Sequence, residues 1–133
     1  MKNKLIKSLL IIISLLGLGA TSSVSANNHS DTGFHFNLRG TKPQYTYTRP
    51  KTDASSSYAK VLSLRKIDAV TCFMVGPSGQ NVNSAYVNLG AGQSSYISQY
   101  INEMGYTSCK LGVKNSYWVY ESTVTGVWSP DSI

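Results

Sequence analysis

Two histidines, two cysteines and six carboxylates make up most of the reactive chemistry of this chain. Nucleophilic catalysis needs a base held beside a Ser or Cys, and imidazole is the usual one. His29 lies in a polar terminal stretch, and His35 points opposite Phe34 and Phe36, toward solvent. No Gly-x-Ser-x-Gly elbow between a strand and a helix accompanies the many serines. His29-x-Asp31-x-x-x-His35 offers ligand types for zinc or copper, but its spacing crosses from tail into strand and does not build convergence. Gly90-Ala91-Gly92 lacks the third glycine and the parallel unit of a dinucleotide site, and reads as a turn. The sequence therefore assigns no catalytic residue, no metal ligand and no cofactor. Glu103 and Glu121 are the one carboxylate pair retained for a minor alternative, a small wall-glycan hydrolase.

Binding chemistry is better represented. Arg39, Lys42, Tyr45, Tyr47, Arg49 and Lys51 place four cations and two phenol rings within thirteen residues that hold no acid. Such a stretch suits an anionic cell-wall polymer or lipid head groups, with the rings stacking and the cations pairing. The competing interpretation is a solvated linker whose tyrosines pack on the domain. No nucleic-acid motif appears, and nucleic acid is not an expected partner.

These groups sit in a chain of 133 residues, room for one domain. Lys2, Lys4 and Lys7 precede an apolar run from Leu9 to Ala20, and Val24-Ser25-Ala26 resembles a signal-peptidase site. The run is shorter than the roughly 20 residues of a membrane span. Residues 1–26 are thus expected to be a cleaved leader and the protein to be secreted, extracellular or loosely attached to the wall, with no transmembrane segment left. Of the 12 basic residues three fall in the leader, so the net charge drops from +6 to +3. That charge aids solubility and mild attraction to anionic surfaces without implying a dedicated nucleic-acid binder.

Cys72 and Cys109 both lie downstream, in an oxidising destination, and have one possible pairing. A bridge between them would stabilise by about 4 kcal/mol in the chain-entropy model.

Residues 27–50 are expected to hold one strand and a basic irregular arm, and residues 51–133 a β-rich domain. Phe34, Phe36 and Leu38 alternate as one face of the first strand, and Arg39–Thr52 follows as the arm. Further strands are expected over Ser57–Leu64, Ala69–Val75, Ser84–Leu89, Ser108–Val113 and Tyr117–Trp128. Tyr96, Ile97, Tyr100, Ile101 and Met104 recur at helical spacing, and the pattern predicts a helix of about three turns there. The expected fold is mainly β: a small antiparallel β-sandwich or partly closed barrel with one short packed α-helix.

Three segments carry a family likeness: Lys51-Thr52-Asp53-Ala54-Ser55-Ser56-Ser57-Tyr58, Tyr100-Ile101-Asn102-Glu103-Met104-Gly105-Tyr106, and Gly126-Val127-Trp128-Ser129-Pro130-Asp131-Ser132-Ile133. Over residues 51–133 the chain resembles a loose group of short secreted proteins of Gram-positive bacteria. The resemblance implies export and a small β-rich domain, and transfers no catalytic residue. In size and export the chain is more distantly similar to bacteriocins of the lactococcin 972 type, which adds a secreted toxin as an alternative. The leading expectation is a secreted, non-enzymatic protein that associates with envelope material through its basic arm.

Overall fold

The computed structural model describes residues 29–132; the expected leader, residues 1–26, lies outside them. Nine strands run in chain order: β1 Thr32–Leu38, β2 Gln44–Tyr45, β3 Arg49–Pro50, β4 Ser57–Arg65, β5 Val70–Val75, β6 Val87–Leu89, β7 Ser94–Ile97, β8 Ser108–Asn115 and β9 Ser122–Ser129. They form two antiparallel sheets. One has the order β1-β9-β4-β7; in the other, β2-β8-β5-β6, the short β3 also pairs with β8. The sheets bury their inner positions in one cluster. Leu38, Val61, Val124 and Trp128 come from the first, and Val70, Met74, Leu111 and Val113 from the second.

Strand periodicity explains most of this. In β8, Cys109, Leu111, Val113 and Asn115 are buried in alternation, and in β9 Ser122, Val124, Gly126 and Trp128 are. β5 is buried at every position, as a β-branched and apolar run in mid-sheet requires. β4 starts with Ser57, Ala59 and Val61 inward, and a bulge between Val61 and Ser63 then changes its phase. Leu62 keeps the outward phase of Tyr58 and Lys60 and is exposed, while Leu64 beyond the bulge packs against the core.

Of the two architectures expected, neither sheet closes into a barrel. The fold class is corrected at the packed helix: the described residues contain none. Where a helix was predicted, Ser94–Ile97 pairs with Ser57–Lys60 of β4. Alternation takes over from helical spacing: Ile97, Gln99 and Ile101 are buried, whereas Tyr96, Tyr100 and Met104 are exposed. The Tyr100 amide donates to the Val82 carbonyl, and the Ile101 amide to Gln99 Oε1. One i-to-i+4 bond, from Met104 to Tyr100, remains in the turn at 101–105. Aromatic and β-branched residues are indifferent helix formers, and the open edge of β4 offers them a ladder.

The Cys72–Cys109 bridge is not formed either; both are buried free thiols. Register explains this. Cys72 faces Val113 across the β5–β8 ladder, four residues along β8 from Cys109. That offset is on the order of 13 Å along the strand, against an upper limit of about 7 Å between bridged Cα atoms.

Candidate binding cleft and polar node

The arm is not an irregular tail. β2 and β3 attach it to β8 through Gln44↔Val113, Tyr45↔Gly112, Arg49↔Cys109 and Pro50↔Ser108. Between this segment and edge strand β1 of the other sheet opens a cleft of about 420 Å³. Phe34, Phe36, Tyr45, Tyr47, Arg49 and Trp128 supply its ring and cation surface. Phe34 and Phe36 stack at 5.6 Å, and Tyr47 projects with 95% of its surface exposed. His35, also on the cleft, is within hydrogen-bond reach of Thr125 Oγ1 at 3.0 Å.

The four cations of the arm meet four different fates. Arg39 lies on the surface with its guanidinium 5.3 Å from the centre of the Tyr120 ring. Lys42 is exposed at the turn before β2. Arg49 is half-buried over Trp128 and donates to the Trp128 and Ser30 carbonyls at 2.9 and 2.8 Å. Burial depresses its pKa below the ordinary guanidinium value, partly offset by the carboxylates of Asp31 and Asp131 and by the neighbouring Cys109.

Lys51 is enclosed. Its Nζ donates to Asp131 Oδ1 at 2.5 Å and to the Asp53 and Ser55 carbonyls at 2.7 Å. A single four-cation grip is therefore not what the fold builds. Tyr45, Tyr47 and Arg49 share the cleft; Arg39 and Lys42 lie outside its lining, and Lys51 is interior.

Lys51 belongs to a polar node that joins all three segments of the family likeness. The backbone amide and Oγ1 of Thr52 donate to Asp131 Oδ2 at 3.1 and 2.7 Å. Ser57 Oγ donates to the Pro130 carbonyl, and the Ser132 amide to Ser55 Oγ. Asn102, from the middle segment, donates to the carbonyls of Lys51 and Tyr106. Gln99 Nε2 reaches the Ser55 carbonyl at 3.0 Å. Each Lys51 proton and both Asp131 oxygens find partners, the condition under which a buried pair is tolerated. The node fastens the chain on either side of β4 and β9, and its closed interior gives it a structural role.

The other candidate chemistries are not brought together. Glu121 precedes β9 and pairs with Lys66 at 3.1 Å. Glu103 occupies the turn beside the node, past the opposite end of β9. Eight strand residues separate those ends, roughly 25 Å, against the roughly 5–10 Å of a glycosidase pair. His29 and Asp31 line a different hollow from His35. Among the described residues no group of three His, Cys, Asp or Glu side chains could hold a metal ion, and no helix is long and apolar enough to cross a membrane.

One exposed feature escaped the sequence pattern. The final strand was expected from Tyr117, but β9 begins at Ser122, and residues 116–121 form a projecting loop. Its Tyr117, Trp118 and Tyr120 are 49%, 67% and 66% exposed. The uninterrupted Tyr-Trp-Val-Tyr run was the available signal, since a half-buried strand alternates ring with polar residue.

The family model described as "Protein of unknown function (DUF2712)" matches residues 22–132, and the chain belongs to that family. A search of curated proteins finds no match.

Proposed function

We propose that the protein is a secreted, non-enzymatic binder of envelope glycan, and that it uses the cleft between β1 and the β2–β3 segment. The observation that carries this reading is the cleft itself, where Phe36, Tyr45 and Tyr47 offer ring surface beside the Arg49 guanidinium. Tyrosine combines a flat apolar face with a polar tip, which suits a sugar ring better than a lipid tail. The basic arm acts here through Tyr45, Tyr47 and Arg49 rather than as a run of solvated charges. Sedimentation with isolated Gram-positive envelopes tests the reading. Tyr47→Ala removes a fully projecting ring without touching the core and should lower the bound fraction at least several-fold. Unchanged sedimentation would refute the cleft.

A second reading, a secreted bacteriocin-like toxin, draws on Tyr117, Trp118 and Tyr120. Exposed Trp and Tyr side chains favour the interface of a bilayer. It requires leakage from anionic vesicles or growth inhibition, lost on Trp118→Ala, and inactivity of the intact protein on both would dismiss it.

A further inference from the structure

The outward face of the second sheet continues the cleft. In β8 the buried alternation sends Lys110, Gly112 and Lys114 to the outer side. Gly112 pairs with Tyr45 on one flank and with Phe73 on the other, so these three positions form a line across three strands. The Phe73 ring lies over Gly112: a Cβ there would stand 2.5 Å from Phe73 Cζ. Tyr45 meets Phe73 edge-on at 6.1 Å, and Tyr86 stacks on it at 4.7 Å. Phe73 is only 5% exposed beneath them, while Tyr45 and Tyr86 present 43% and 62% of their surface.

Charge on this face has one sign. Lys114 Nζ stands 5.6 Å from the centre of the Tyr86 ring, and Lys110 lies on the other side of Gly112. The strands of this sheet contain no Asp or Glu. Neither lysine forms an ion pair among the described residues. Tyr45 belongs to both regions, since it also walls the cleft.

We infer that cleft and face are one track, from Tyr47 through Tyr45 to Tyr86 and Lys114, that holds several consecutive units of an anionic polysaccharide. This rests on the cleft reading above and adds the ligand's class and length. Ring faces accept the C–H surface of successive sugars, and Lys110 and Lys114 meet their acidic groups. Each exposed lysine contributes little alone, so the gain comes from simultaneous contacts along one chain, as in multivalent binding.

The test measures binding of purified protein to anionic wall polysaccharide released from Gram-positive envelopes and separated into long and short fractions, with dextran as the neutral control. The long fraction should bind about tenfold more tightly than the short one. Lys110→Gln/Lys114→Gln, which leaves every ring in place, should abolish that advantage and spare short-chain binding. Tyr47→Ala should weaken both fractions. Equal binding of long and short chains, unaffected by the lysine changes, would overturn the track and leave the cleft standing. Dextran binding as tight as the anionic chains would overturn the proposed ligand class. No binding of either wall fraction would overturn track and cleft together.

Discussion

Lys51 Nζ and Asp131 Oδ1 meet at 2.5 Å across 80 residues of sequence, with both side chains wholly removed from solvent. Removing Asp131 leaves the enclosed Lys51 ammonium with two carbonyls and only the longer, partly exposed Asp53 carboxylate at 3.7 Å. Asp131→Ala should therefore cost about 3–5 kcal/mol, measured by denaturant unfolding. Lys51→Met/Asp131→Leu, which removes both charges and keeps apolar volume, should recover a substantial part of that loss. A single variant as stable as the parent would show that the pair does not hold the segment before β4 to the segment after β9. This also separates Lys51 from the exposed arm: its loss should act on stability, whereas loss of Tyr47 should act on binding.

The free thiols make a second prediction. Unfolding without reductant should release two titratable thiols per chain, and the folded protein should resist alkylation near neutral pH. Burial raises both thiols from their ordinary 9.0 to about 12. Their contribution to stability is complete below the unfolded value and is lost as pH rises from about 9 through 12, because the unfolded chain releases those protons first. Cys72→Ala/Cys109→Ala should flatten that part of the stability profile against pH. Rapid labelling of folded protein would contradict the burial, and the absence of thiols after unfolding would restore the bridge.

What the sequence could disclose ended where distant partners decide. Phe34, Phe36 and Leu38 announced β1 because alternation is local. Tyr96, Ile97, Tyr100, Ile101 and Met104 fitted a helix equally well, and only the β4 edge 40 residues earlier selects the extended form. Lys51 looked like its neighbours Lys42 and Arg49, since the carboxylate that buries it stands at the far end of the chain. Cys72 and Cys109 were paired by elimination, and register along β5 and β8 separates them. The cleft is of the same kind: Tyr45 and Tyr47 were legible as candidates, but Phe36 and Trp128 join them only through packing.

Two phenylalanine–glycine pairs, one per sheet, yield a third prediction. Phe34 faces Gly126 across β1 and β9, and Phe73 faces Gly112 across β5 and β8. In each case an added Cβ would meet the ring at 2.5 Å, but at Gly126 it would also meet the Lys60 carbonyl oxygen at 2.5 Å. A ring can swing outward from the open face, whereas backbone in mid-sheet cannot. Gly126→Ala should therefore cost about 3 kcal/mol or more, beyond the range usual for overpacking by a methyl. Gly112→Ala should cost less and should disturb Tyr45 and Tyr86 instead. Thermal unfolding of the two variants checks the order, and equal losses would refute the distinction.

A fourth prediction concerns the projecting loop. Tyr117 donates its phenol proton to Asp68 Oδ1 at 2.9 Å. That bond exists only in the protonated form, and ionisation would set a phenolate beside a carboxylate, so the Tyr117 pKa lies above its ordinary 10.0. A raised folded value means the bond supports the loop at neutral pH and is lost on passing upward through the tyrosine range. Asp68→Asn removes the charge and should return Tyr117 to earlier ionisation in an ultraviolet titration, read against Tyr117→Phe to isolate its signal. No change on Asp68→Asn would mean that the pair is not maintained in solution.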